Sequence, residues 1–209
     1  MQRLIEGYRR FRRGRWPRLR ALHEQLAAEG QNPHVMVITC ADSRLDPTTI
    51  FDALPGQLFV VRNVANLVPP YEEKEGLHGT SAAIEFAVQK LGVDTILVLG
   101  HVACGGVAAA LEPPEMHAGT FMGAWIDLLE EAKARIPNDS KDPHKALERE
   151  SVRLSLERLR TFPFVARALQ EKRLTLVGGV FGVADGALEM LDPATGKFMP
   201  ALEPPPGRR

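Results

Sequence analysis

Apolar residues fall into two rhythms along this chain of 209 residues. Short unbroken runs rich in β-branched residues occur at 34–39 (HVMVIT), 58–61 (LFVV), 95–99 (TILVL) and 174–177 (LTLV), with Gly, Pro or Asn close by. Runs of that length and composition are read as strands buried on both faces. Between them the apolar positions recur at helical spacing: Ala83, Ile84, Ala87, Val88 and Leu91 make one face, and Leu147, Val152, Leu156 and Leu159 another. Strands alternating with helices predict an α/β fold, a mostly parallel central β-sheet flanked by helices. Residues 189–191 add an edge strand whose direction the pattern leaves open.

The first thirty residues follow a different rule. Leu4, Tyr8 and Phe11, then Leu19, Leu22 and Leu26, line an apolar stripe interrupted at Trp16-Pro17, and eight arginines fall between Arg3 and Arg20. This reads as an amphipathic N-terminal helical arm, 1–30, ahead of a single domain, 31–202, and a frayed Pro-rich tail, 203–209. Neither an internal repeat nor an interdomain linker is evident.

Composition narrows the function classes. With 44% hydrophobic and 25% charged residues the chain matches ordinary globular proteins. Lys and Arg number 26, as do Asp and Glu. The balance gives no global attraction for nucleic acid or membrane, and neither is expected as a partner. No apolar run reaches bilayer length and no signal-peptide core follows the basic start. Cys40 and Cys104 are the two cysteines; so few do not form a disulfide framework, and a reducing, cytoplasmic setting is expected.

Ligand sites in open parallel sheets gather at the carboxyl ends of the strands, and two predicted strands end on chemically loaded segments. The first runs into Cys40-Ala41-Asp42-Ser43-Arg44. The third delivers His101-Val102-Ala103-Cys104-Gly105-Gly106 at the start of a helix, with His101 and Cys104 three residues apart. Two thiolates and an imidazole at one sheet edge make a Cys₂His set with one position open, the donor count of a catalytic zinc site. Asp42 is the candidate for the fourth position. A bidentate pair with Arg44 would instead hold it off the metal. The plainer alternative, cysteines serving as small core hydrophobes, accounts for each half of the set but not for their meeting. Nucleotide binding at GHVACGG is disfavoured, because the segment has neither G-x-G-x-x-G spacing nor a P-loop lysine.

Taken in order, CADSR, GQLFVVRNVANLVPP, AAIEFAV and GHVACGG resemble the β-class carbonic anhydrases across residues 30–110, with a looser echo in SLERLRTFPFV and LVGG. The resemblance implies a zinc enzyme that hydrates carbon dioxide reversibly to bicarbonate and a proton through a zinc-bound hydroxide. Cys40, His101 and Cys104 would be the Zn2+ ligands, with Asp42 paired to Arg44, orienting the hydroxide and joining the metal only in a closed form. It also implies substrate contacts from Gln31, Phe59, Val64, Phe86 and the backbone N–H of Gly105. Gln31, Phe59 and Phe86 would come from the neighbouring subunit of a homodimer, or higher even-numbered homo-oligomer, wrapped by the arm.

Gln31, and Val37 where the bicarbonate-regulated branch carries tryptophan, point to the plant-like branch. Phe86 replaces the tyrosine of many relatives and removes its hydroxyl as a proton relay, leaving His34, His78 and His117 as shuttle candidates by residue type. Arg62 and Asn63 resemble the family's RN pair, which implies bracing of the dimer and the site walls, with a plain strand-ending polar pair as the alternative and no catalytic role in either case. The rival readings are turnover of carbonyl sulfide or carbon disulfide in the same slot, and a noncatalytic zinc-stabilised protein, for which the Asp42–Arg44 pair would have no use.

Overall fold

A computed structural model describes residues 1–73, 76 and 78–201; residue 202 and the expected tail, 203–209, lie outside the described residues. Helices α1 (Gln2–Gly14) and α2 (Trp16–Glu29) form the arm, and the break falls at Arg15 because Pro17 opens the second helix. The body then runs β1 (Val35–Cys40), α3 (Pro47–Ile50), β2 (Leu58–Asn63), α4 (Gly79–Glu85), β3 (Thr95–His101), α5 (Gly105–Ala110), α6 (Phe121–Ile126), α7 (Glu130–Lys133), α8 (Pro143–Leu159), α9 (Pro163–Gln170), β4 (Thr175–Phe181), β5 (Leu188–Leu191) and β6 (Phe198–Pro200).

The sheet order is β2-β1-β3-β4-β5-β6. The first four strands are parallel, and β5 and β6 return antiparallel, which gives the 189–191 segment its direction and adds a last strand the apolar pattern did not announce. Phe198, Met199 and Pro200 are too few and too exposed to carry a period-2 signal.

Alternation along the strands sorts the core into two layers. Met36, Ile38, Ile96 and Val98 face the layer built with Ile84, Val152, Leu159 and Phe162. Val37, Leu97 and Leu99 face the layer built with Val107, Ile126, Leu129 and Leu154. Burial on both faces is why these strands read as continuous apolar runs.

Helix α8 starts cleanly: its N-cap is Asp142, whose carboxylate accepts from Lys145 N–H, and Pro143 supplies a preset φ at the first helical position. The helix lies against β3 and β4. Two glycines permit the close approach. A Cβ on Gly100 would lie 2.9 Å from Val152 Cγ2, and one on Gly178 would lie 2.9 Å from both Leu156 Cδ1 and Val152 Cγ1. Gly178→Ala is therefore expected to destabilise the fold by about 1–3 kcal/mol through overpacking, read as a lower denaturant midpoint at unchanged m.

The arm buries none of its residues. Leu4, Ile5 and Tyr8 stand exposed on α1. Among the described residues, no helix is long and apolar enough to cross a membrane.

Candidate metal centre

β1 and β3 are hydrogen-bonded neighbours in parallel register, so Cys40 and His101 leave the same edge of the sheet. Cys104 follows after a tight turn. The three donor atoms lie within 4.8 Å of one another and all three residues are buried. Cys40 Sγ and Cys104 Sγ are 3.8 Å apart. Zinc–sulfur bonds of about 2.3 Å at tetrahedral angles separate two sulfurs by about that distance, so the pair already has the spacing of two corners of a zinc tetrahedron.

The imidazole is prepared for the same role. His101 Nδ1 lies 3.0 Å from the Val102 carbonyl, which can only accept, so this nitrogen carries the proton and Nε2 carries the free lone pair. Nε2 is buried, with no hydrogen-bond partner among the described residues. An orphaned buried acceptor costs stability unless something binds it. A metal ion beside the two sulfurs would satisfy it.

The thiols influence each other. The hydrogen bond from Cys104 pulls the Cys40 thiol well below its ordinary value against the cost of burial, with the N–H groups of Asp42 and Ala65 adding to it. The same bond, together with burial, pushes Cys104 up. One negative charge suits this pocket without a cation. A divalent ion is what allows both sulfurs to ionise.

Asp42 is turned away from the donors. Arg44 Nε donates to Oδ1 at 2.9 Å and Nη2 to Oδ2 at 2.7 Å, while Arg44 N–H also donates to Oδ1. These bonds from Arg44 hold the Asp42 carboxyl well below the usual carboxylate range. Oδ2 nevertheless stays 3.9 Å from His101 Nε2, at the mouth of the cluster. Arg44 Nη2 continues to the Ala103 carbonyl at 3.0 Å and so ties the CADSR loop to the His101–Cys104 turn.

Arg62 braces the same loop from β2, donating to the carbonyls of Cys40, Asp42 and Leu45 at 3.1, 2.7 and 2.6 Å. Asn63 holds the following turn through paired bonds with the backbone of Leu67. Val64, in that turn, packs on Gly106, where a Cβ would come within 2.6 Å of Val64 Cγ1. Gly105, by contrast, is exposed directly beside Cys104 with open space around its Cα.

The other expected contacts do not converge within one protomer. Gln31 precedes β1 and opens onto a groove with Leu22, Leu26 and Gly56, at the opposite end of the strand from Cys40. Phe59 pairs in register with Met36, four positions before the Asn63–Cys40 pair, or about 13 Å along the strand. Its ring lies 5.9 Å from that of Phe86, which is exposed. His34 is paired with Asp94, His78 lies near Glu72, and His117 is bonded to Glu112.

Three features escaped the sequence reading. Ala103 has φ 59°, a left-handed conformation that costs a non-glycine residue about 1–2 kcal/mol. Glu148, on α8, is buried and accepts from the Cys104 N–H at 3.2 Å. His144, one turn earlier, reaches both Glu148 and the Cys104 carbonyl. Glu148 and His144 stand forty or more residues from the cysteines, and no local spacing could have marked them.

A mostly parallel sheet covered on both sides, with two thiols and an imidazole converging at the carboxyl ends of its parallel strands beside an arginine-bound carboxylate, defines an α/β protein with a candidate metal centre. The carbonic anhydrase family profile matches residues 35–188. A carbonic anhydrase of Pseudomonas aeruginosa is 37% identical over 212 residues, covering 98% of this chain and 94% of that protein. The solved structure of the β-carbonic anhydrase CcaA superposes with a TM-score of 0.86 at 31% identity, covering 97% of this chain and 92% of that one. One of two tetrameric β-carbonic anhydrases from the ascomycete Sordaria macrospora gives 0.79 at 28% identity, covering 91% and 95%. The chain belongs to the β-carbonic anhydrase family and is a carbonate dehydratase, a lyase.

Proposed function

We propose that this protein interconverts carbon dioxide and bicarbonate at a zinc ion held by Cys40, His101 and Cys104. The observation that carries the reading is the donor set itself: three convergent ligand atoms, with Asp42 held beside them by Arg44. Zinc supplies a Lewis acid that makes water nucleophilic near neutral pH.

The chain's own residues do the rest. Asp42, ionised at neutral pH, accepts a hydrogen bond beside the cluster and orients the oxygen nucleophile. Arg44 fixes the carboxylate in that attitude and keeps it from occupying the fourth position. The exposed Gly105 N–H donates to a substrate oxygen, and Val64 forms part of an apolar wall suited to carbon dioxide.

Gln31, Phe59 and Phe86 complete the pocket from a second copy of the chain. Their distance from the cluster within one protomer supports this, as do the tetrameric relatives. The exposed apolar face of α1 docks on that copy, making the protein a homodimer or an even-numbered multiple. The plant-like branch follows from Gln31 and Val37. The free, buried Cys40 and Cys104 fit a reducing cytoplasmic setting.

Stopped-flow hydration of carbon dioxide with a pH indicator, on protein of known zinc content, tests the reading. Turnover is expected to rise from neutral to alkaline pH, because two thiolates offset the zinc charge and acidify water less than three histidines do. Turnover should disappear when zinc is removed. Fully zinc-loaded protein that is inactive across this range would overturn the proposal, and activity on carbonyl sulfide alone would move the substrate.

A further inference from the structure

The turn carrying Cys104 is held from two sides, and only one of them belongs to the pair already described. Ala103 sits in the left-handed region, so the peptide joining it to Cys104 has an orientation the backbone does not favour by itself. On the front, Arg44 Nη2 donates to the carbonyl of that peptide at 3.0 Å. On the back, the N–H of the same peptide donates to Glu148 Oε1 at 3.2 Å. His144 Nδ1 lies 2.9 Å from the same carboxylate oxygen, and its Nε2 lies 3.2 Å from the Cys104 carbonyl. The two α8 residues, one helical turn apart, thus grip Cys104 at both its N–H and its C=O.

Glu148 is 1% exposed, and its second oxygen, Oε2, has no hydrogen-bond partner among the described residues. A carboxylate in such a place is expensive, and core packing alone would be served better by an apolar residue. The glycines at 100 and 178 that let α8 close on the sheet are what bring the carboxylate within reach.

We infer that Glu148, steadied by His144, is a positioning residue for Cys104: it fixes the strained Ala103–Cys104 peptide from behind, as Arg44 does from the front, and thereby aims the second thiolate at the metal. The inference rests on the metal-centre reading above. Groups that orient metal ligands typically change metal affinity by about 10- to 100-fold when removed.

Wild type, Glu148→Ala and Glu148→Gln are each loaded with zinc or cobalt(II). Metal loss to excess EDTA and the sulfur-to-cobalt charge-transfer absorption are then measured, with thermal melting to verify folding. Glu148→Ala is expected to bind metal about 10- to 100-fold more weakly and to alter the cobalt spectrum. Glu148→Gln, whose amide oxygen still accepts from Cys104 N–H, should stay close to wild type. Adding Ala103→Gly to Glu148→Ala should recover most of the loss, because glycine adopts the left-handed turn without restraint.

A folded Glu148→Ala protein with wild-type metal retention and spectrum would overturn the inference, and so would a Gln variant as impaired as Ala. If Glu148→Ala does not fold, the partly exposed His144→Ala takes its place: weaker retention in the same direction supports the clamp, and unchanged retention refutes it. Failure of wild type to take up either metal would strike the metal centre itself, a result distinct from all of these.

Discussion

Cys40→Ser and His101→Ala are expected to abolish metal binding, with zinc content falling from about one ion per chain to less than about a tenth and carbon dioxide hydration falling with it by about 1,000-fold or more. Serine keeps the shape of the Cys40 side chain but not its chemistry. A hydroxyl does not ionise near neutral pH, and its oxygen is a hard donor where the site presents a soft one. In His101→Ala the loss is of the single nitrogen lone pair aimed into the cluster. Both positions are buried, so elemental analysis of the purified variants should be accompanied by a melting curve. A variant that folds, retains a full equivalent of zinc and turns over normally would remove that residue from the ligand set.

Asp42→Ala should separate metal binding from chemistry. The carboxylate is bonded to Arg44 rather than placed among the donors, so zinc content is expected to stay at the wild-type level. Turnover should drop by about 100-fold or more, the loss typical of a positioned acid–base group. The pH dependence sharpens the assignment. Because Arg44 holds the Asp42 carboxyl below the ordinary range, its contribution to stability is present above the unfolded value of about 3.9 and is lost only as pH falls through the lowered folded value. Asp42 therefore stays ionised throughout any neutral-to-alkaline assay. An alkaline limb in the wild-type profile must come from another group, and the Asp42→Ala variant should show the same limb at reduced height. Retained turnover in Asp42→Ala would take the residue out of the mechanism.

The centre of the sheet and the three donors were legible for a common reason. β1 and β3 are buried on both faces, so their apolar runs stand out, and their carboxyl ends carry Cys40 and His101 directly. The Asp42–Arg44 pair was readable because two residues on one short loop can meet without help from the rest of the fold. The strand limits were less so: β2 extends through Arg62 and Asn63, polar residues that continue the ladder while their side chains hold neighbouring loops. β6 has no apolar rhythm of its own and exists because β5 offers an edge to pair with.

By itself, the sequence determined what is local: which runs become buried strands, which residues can donate to a metal, and which carboxylate an adjacent arginine can hold. The tertiary structure decided what depends on approach across the chain. It placed Gln31, Phe59 and Phe86 away from the cluster of their own protomer, fixed the return direction of β5, and closed α8 onto the glycines of β3 and β4 so that Glu148 reaches Cys104. Periodicity and spacing report on neighbours along the chain, whereas a buried carboxylate beneath a candidate metal ligand is set by the packing of a helix against a sheet.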